Sequence, residues 1–217
     1  MNTAPPMHFS FLMMPEYTLS AFSNAVGILR MANRLSGRSL YSWSLHSLDG
    51  ESVKSSADLE LAIEGSIDDT KNANILMVCG GYSVKDYCTN ELIESLKKCS
   101  KRKIPMGGIC TGSYALASAG LLDGYKCTIH WENIASFREE YPLLDISPGL
   151  FVIDRDRYTC SGGISSIDLF LNLVATIHGH QLVQRISEQF TCDRCRTEND
   201  THRTQLTYLF GSSQPKL

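Results

Sequence analysis

At 217 residues, 43% of them hydrophobic, the chain has material for one compact domain with a substantial core, a better fit than two small ones. Charged residues make up 20% and the formal net charge is −3, so no basic field is present to hold a phosphate backbone, which excludes strong DNA binding by this chain alone. No window has the length of a membrane span, and the opening MNTAPPMHFSFLMMPEY lacks the basic start and cleavable apolar core of a signal peptide, so a cytoplasmic protein without a membrane partner is expected.

Short apolar runs alternate with amphipathic segments, the pattern of strands wrapped by crossover helices. Residues 8–13 read as the first strand, stopped by Pro15; Leu19, Phe22, Val26 and Leu29 then recur at helical spacing and predict a helix over 18–35. A second strand is expected over 40–48, then an Asp49-Gly50 turn and a hairpin-like excursion over 51–63. The continuous apolar run 74–79 ends in Gly80-Gly81 and predicts a central strand buried on both faces. Residues 91–101 are amphipathic, 104–109 form the next strand, and 111–119 an Ala-rich helix ended by Gly120. A strand is expected over 127–130, a helix over 132–141, strands over 150–154 and 158–160 about an Asp-Arg-Asp-Arg turn, and one long helix over 166–190 with a bend at Gly179. From 193 to 217 the apolar period fades into Thr, Ser and charge, as in a linker. The expected architecture is a three-layer, flavodoxin-like α/β sandwich with a mostly parallel central sheet, formed by domain 1–192 and followed by linker 193–217.

Several of the eight cysteines lie inside apolar runs and read as small buried thiols. Cys192-x-x-Cys195, with His202 beyond, has metal-like spacing but no second close pair, so incidental cysteines are preferred to zinc, and neither metal nor cofactor is expected. The sharpest local feature is Gly108-Ile109-Cys110-Thr111-Gly112 between an apolar strand and a helix. Glycines flanking the central residue permit a tight turn, giving a nucleophile elbow with cysteine in place of serine; the alternative is a buried thiol beside an ordinary turn. At a helix N-terminus the dipole and free amides would favour the thiolate and lower its pKa. His130, closing a predicted strand, would reach the same sheet edge, or be a hydrogen-bonded structural residue. Gly80 and Gly81 would present amides to that crevice as an oxyanion hole, or form a plain tight turn.

The stretch GGICTGSYALASAGLLDGYKCTIHWENIASFREEYP resembles the elbow region of the ThiJ/PfpI superfamily, relatives of the class I glutamine amidotransferases, in the version found at the N-terminus of GlxA-type AraC/XylS-family regulators. The segments LRMANRLSG, VCGGY, SGGISSIDLFLNLVATIHGH and EQFTCDR extend the resemblance over nearly the whole chain. It implies that Cys110 is the elbow cysteine, His130 its neighbour, and Gly80 and Gly81 the oxyanion-type loop. In such regulators a segment like GSSQPKL leads into a helix-turn-helix domain, so the resemblance implies DNA contact only through a C-terminal domain absent from this sequence. One departure matters: the superfamily's enzymes carry a carboxylate on the first helix, where this chain has Ala21, and Gly27 stands where related regulators often have Glu. Glu16 is the nearest acid, about a turn too early.

Without a positioned carboxylate, general acid–base chemistry loses its orienting group, so binding is expected in place of turnover, with Cys110 and His130 vestigial. The leading expectation is the ligand-sensing domain of a homodimeric transcription regulator, its crevice formed by Glu16, Tyr17, Gly80, Gly81, Tyr82, Cys110, Thr111, His130 and Trp131. Within the family the chain looks closest to regulators of quaternary-ammonium and amino-acid catabolism, which implies a betaine, carnitine or amino-acid-like ligand. Tyr17, Phe22, Trp43, Tyr82 and Trp131 would offer cation-binding faces, or be plain core. The alternatives are a stand-alone cysteine hydrolase, hydratase or glyoxalase using Cys110 and His130, and a redox sensor working through oxidation of Cys110.

Overall fold

A computed structural model describes residues 5–192, 196–197 and 200. In chain order the elements are β1 (Met7–Met13), α1 (Leu19–Ser36), β2 (Tyr41–Ser47), a small hairpin of β3 (Val53–Lys54) and β4 (Glu60–Leu61), and β5 (Gly65–Ser66). Next come β6 (Ile75–Cys79), α2 (Val84–Tyr87), α3 (Asn90–Ser100), β7 (Met106–Ile109) and α4 (Gly112–Ser118). The chain continues through β8 (Lys126–Cys127), α5 (Ile134–Glu140), β9 (Asp145–Ile146), β10 (Phe151–Asp154), β11 (Arg157–Cys160), α6 (Ser165–His178) and α7 (His180–Gln189). The main sheet runs β10-β11-β7-β6-β1-β2-β5, parallel throughout except for β10 against β11.

Strand alternation dictates the layers. Phe9, Phe11 and Met13 of β1, with Ile75, Met77 and Cys79 of β6, join the core packed by α1, α6 and α7. Leu12, Leu76, Val78 and Met106 face the opposite core, built with α3, α4 and α5. Phe170 lies over Phe9 and Phe11 at centroid distances of 5.6 and 6.2 Å, and Phe22 meets Phe11 edge-on at 5.4 Å. Each such ring contributes about 2–3 kcal/mol through burial, which is how α1 and α6 are held to one face. The expected three-layer, mostly parallel sandwich is therefore the architecture found.

Two expectations need correction, and two short elements were not expected. Residues 127–130 are not a sheet strand: only Lys126–Cys127 is extended, and it pairs with β9 outside the main sheet. The long helix over 166–190 is two helices, because Gly179, at φ 84 and ψ 164, leaves helical geometry completely. Edge strand β5 and the single turn α2 carry too few apolar residues to show a period, and were missed.

Cys195, His202 and most of the expected linker lie outside the described residues. Of that segment, Arg196 returns to α6, its guanidinium donating to Asp168 Oδ2 at 2.6 Å while its amide donates to Oδ1 at 3.2 Å. Asp168 is 3% exposed, so Arg196 neutralises a carboxylate that water cannot reach.

A second buried polar network crosses β1 and β2. His46 Nδ1 faces the Ser66 carbonyl at 3.0 Å and so must donate, which makes its Nε2 an acceptor for the Ser44 hydroxyl at 2.8 Å. Ser44 Oγ then accepts from His8 Nε2 at 2.8 Å, and His8 Nδ1 accepts from Ser42 at 2.8 Å. The Ser42 and Ser44 hydroxyls thus join the two rings across β1 and β2. Burial chiefly, and His46 next, hold the His8 pKa below its ordinary 6.5, against an opposing effect of Glu64.

A His whose pKa falls on folding binds fewer protons in the native state, so its stabilising contribution is complete above about pH 6.5 and is lost as the pH drops through and below that value. Urea midpoints at about pH 7.5 and 5.5 should converge when His8→Gln removes the titrating ring, relative to the parent. Arg196→Met should lower stability by about 1–3 kcal/mol in the same assay by stranding the Asp168 charge, whereas a change below about 0.5 kcal/mol would refute the clasp.

Candidate functional site

The carboxyl ends of the parallel strands share one edge, with Met13 paired to Cys79, Cys79 to Ile109 and Ile109 to Cys160. The sheet winds outward in both directions from β1 and β6, so the crevice beyond their ends is a switch point where ligands collect in such folds. Cys110 leaves β7 directly into this crevice. Its φ of 59° is rare for a side-chain-bearing residue, as required by a strand that turns at once into α4. The expected elbow is present.

Close approach explains the glycines around it. A Cβ on Gly112 would overlap the Val78 carbonyl, and one on Gly162, at φ 84°, would sit 2.7 Å from Cys110 Cβ. The Cys110 amide donates to the Cys160 carbonyl at 3.0 Å, and its own carbonyl accepts from the His130 amide at 3.3 Å. The side chain is only 5% exposed, and the Thr18 hydroxyl donates to Sγ at 3.3 Å. Burial pushes the Cys110 thiol up, outweighing the opposite effect of the Thr18 hydrogen bond. The expected lowering of this pKa is not what burial produces: loss of water outweighs the hydrogen bonds from the Thr18 hydroxyl and the Thr111 amide.

A crevice of about 360 Å³ opens beside Cys110, lined by Thr18, Ser56, Gly81, Tyr82, Cys110, Thr111, His130, Glu132 and Asn133. Five of the expected site residues therefore converge here: Gly81, Tyr82, Cys110, Thr111 and His130. The others do not. Tyr17 is fully buried against Phe22, and Glu16 lines a separate cleft. Trp131 packs near His130 at a centroid distance of 5.9 Å but is not part of the lining. Gly80 lies behind it, with its amide spent on the Ile109 carbonyl at 3.1 Å, so it offers no oxyanion donor. Thr111 Oγ1 donates to the Gly81 carbonyl at 2.6 Å, tying the two loops together.

Thr18, Ser56, Glu132 and Asn133 were not foreseen. Thr18 opens α1 and Ser56 belongs to the β3–β4 hairpin, so neither is near Cys110 in sequence; Glu132 and Asn133 follow His130 in a 3-10 turn that had been read as helix. Glu132 Oε2 lies 3.8 Å from His130 Nδ1 and brings a carboxylate to the crevice from an unexpected direction. On α1, Ala21 is fully buried and Gly27 packs against Phe190, so that helix gives the thiol no acid. Among the described residues no group of His, Cys, Asp and Glu side chains is arranged to hold a metal, and no helix is long and apolar enough to cross a membrane.

Known proteins resemble this chain over most of its length. The DJ-1/PfpI family pattern matches residues 23–176. The HTH-type transcriptional regulator GbdR of Pseudomonas aeruginosa is 42% identical over 98% of this chain, and the HTH-type transcriptional regulator CdhR of the same species 41% identical over 96%. The chain spans 58% of the first and 62% of the second. A crystal structure of an AraC family transcriptional regulator from Pseudomonas putida is 33% identical, with a TM-score of 0.78 over 85% of this chain and 100% of that one. The chain belongs to the DJ-1/PfpI family.

Proposed function

We propose that the chain is the ligand-sensing part of a homodimeric transcription regulator. Its crevice binds a small zwitterionic nitrogen metabolite of the betaine, carnitine or amino-acid class, and DNA is bound by another domain of the protein to control catabolic genes. Likeness to HTH-type regulators over nearly the whole chain supports the regulatory role. The observation that carries the sensing role is the crevice itself: a half-open space of about 360 Å³ beside a thiol that burial keeps protonated. With the Thr18 and Thr111 hydroxyls committed to Cys110 Sγ and the Gly81 carbonyl, the side chains of Ser56 and Asn133 offer donors for a carboxylate, and Glu132 with the exposed ring of Tyr82 suits the cationic end. A buried thiol with a raised pKa is a poor nucleophile and slow to oxidise, which places binding ahead of both turnover and redox sensing.

One observation favours the hydrolase or hydratase reading. Glu132 beside His130 forms the last two members of a Cys–His–carboxylate set at one crevice. In that reading His130 takes the Cys110 proton and Glu132 orients the ring.

Titration calorimetry with glycine betaine, carnitine and amino acids should find one binder, and Tyr82→Ala should weaken it by about tenfold, equivalent to one cation–π contact. Equal affinity in the variant, or binding of uncharged compounds only, would reject the ligand class. Cys110→Ser should keep affinity within a few fold, and iodoacetamide should modify Cys110 of the parent more slowly at pH 7 than a free cysteine, whose pKa is about 8.5. Turnover of an amide, isonitrile or 2-oxoaldehyde that disappears in Cys110→Ser would establish the enzyme instead.

A further inference from the structure

Charge is not spread evenly over the fold. The parallel strands of the main sheet start in line, with Met7 paired to Tyr41, Phe9 to Ile75 and Leu76 to Met106. The segments that lead into β2, β6 and β7 carry Arg38, Lys71, Lys101, Arg102 and Lys103 and hold no acid: 37–40 reads GRSL, 71–74 KNAN and 101–105 KRKIP. The opposite end, where the Cys110 crevice opens, carries Glu16, Asp49, Glu51, Asp58 and Glu132 against Lys54. A net charge of −3 therefore conceals a basic pole and an acidic pole.

The cations of the basic pole are available. Arg38, Lys71, Lys101 and Lys103 are exposed, and none of the five is within ion-pair distance of a described acid. Arg102 is half-buried, its guanidinium fixed where it donates to Thr70 Oγ1 at 2.7 Å. Beside it a hollow of about 170 Å³ is lined by Asp68, Lys71, Lys98, Cys99 and Arg102, three cations to one acid. Of the acids that flank this edge, Glu94 pairs with Lys97 at 2.9 Å and Asp69 accepts from the Ser66 amide at 2.9 Å. Adjacent strands lie about 4.8 Å apart, so from β7 through β6 and β1 to β2 the cations form a row about 14 Å long. Beyond β7 the row ends, because Arg155 and Arg157 are neutralised by Asp154 and Asp156.

We infer that this edge lies against the phosphate backbone of DNA, as an auxiliary contact beside the DNA-binding domain of the regulator. The inference rests on the regulatory reading, which brings DNA close to this domain. An extended row of like charges matches an extended polyanion, and B-DNA, with one charge per about 1.7 Å of axis, offers several phosphates along it. The hollow seats one phosphate between the planar fork of Arg102 and the ammonium groups of Lys71 and Lys98. The acidic pole of a second copy is the other available polyanion. Pairing pole to pole is head-to-tail, however, and such a contact extends into fibres where it does not close. With about five phosphate contacts and an unfavourable net charge, the chain alone binds in the weak, non-specific range, with a dissociation constant of about 0.1 mM.

Fluorescence anisotropy of a labelled duplex of arbitrary sequence, titrated with the chain at about 20–200 mM salt, tests this. Saturable binding is expected, with a slope of log K against log salt of about −3 to −4.5. Arg38→Gln and Lys71→Gln should each flatten that slope by about 0.9, and the double variant Lys101→Gln/Lys103→Gln by about twice as much, with affinity at low salt down about tenfold. Lys54→Gln removes the same charge from the acidic pole and should change neither slope nor affinity. Absence of binding at about 1 mM chain, or an equal loss in Lys54→Gln, would overturn the inference. So would displacement of the duplex by polyglutamate at equal charge, which would assign the edge to an acidic protein. Salt-sensitive self-association abolished by the same variants would assign it to a second copy. The betaine and carnitine titrations read the Cys110 crevice at the other pole, so either proposal can fail while the other stands.

Discussion

The close approach of backbone to backbone at the end of β7 is the constraint on which the site depends. α4 begins so soon after the strand that Gly112 lies against the Val78 carbonyl of the neighbouring strand, and any side chain there would drive the two apart. Gly162 closes over the opposite side of Cys110 in the left-handed region that only glycine enters without strain. Cys110, which does carry a side chain, accepts an unfavourable φ of 59° and is held by bonds to Cys160 and His130. Strain of this kind costs on the order of 1–3 kcal/mol and persists only where surrounding packing over-determines it. Here the packing is two apolar layers clamped on the central strands.

The same compactness decides the chemistry. An elbow thiol draws stabilisation for its anion from amides and from the helix dipole, but both act over short range and α4 contributes only two turns. Removing water from the thiol disfavours the anion more strongly than one Thr18 hydroxyl favours it. Cys79 and Cys160, fully buried nearby, are pushed up for the same reason. A pocket that crowds its thiol so tightly gives that thiol little anionic character.

Much of the fold was legible because apolar runs and helical periods are local signals. The run ILMVC between turn residues is a strand buried on both faces, and it is one. The Gly-x-Cys-x-Gly signature placed Cys110 at an elbow, since the steric demand it reflects is carried by adjacent residues. Side chains that reach the crevice from distant segments had no such signal. Ser56 arrives because Tyr17 pairs with Ser55, a contact between stretches nearly forty residues apart that no periodicity encodes. Trp131 was expected in the lining because it follows His130, but a 3-10 turn there presents Glu132 and Asn133 to the crevice instead. The thiol's pKa was misread for a related reason: the motif reveals the helix start, whereas burial depends on Gly162 and Thr18, far along the chain.

The Cys110 elbow is also joined to Arg196 through the start of α6. Gly162 lies against Cys110; its carbonyl accepts from Ser165 Oγ at 2.6 Å, and the Gly163 carbonyl accepts from Asn24 of α1 at 3.0 Å. Ser165 opens α6, and one turn further Asp168 grips Arg196. The glycine turn after β11 therefore connects the Cys110 elbow to the first turn of the helix that holds Arg196. Packed elements of this kind move as units between discrete arrangements and do not deform smoothly. A ligand that bound both arrangements equally would move nothing, however tightly it bound. The Gly162–Ser165 turn, packed against Cys110 and opening α6, is where a difference between two such arrangements would be felt.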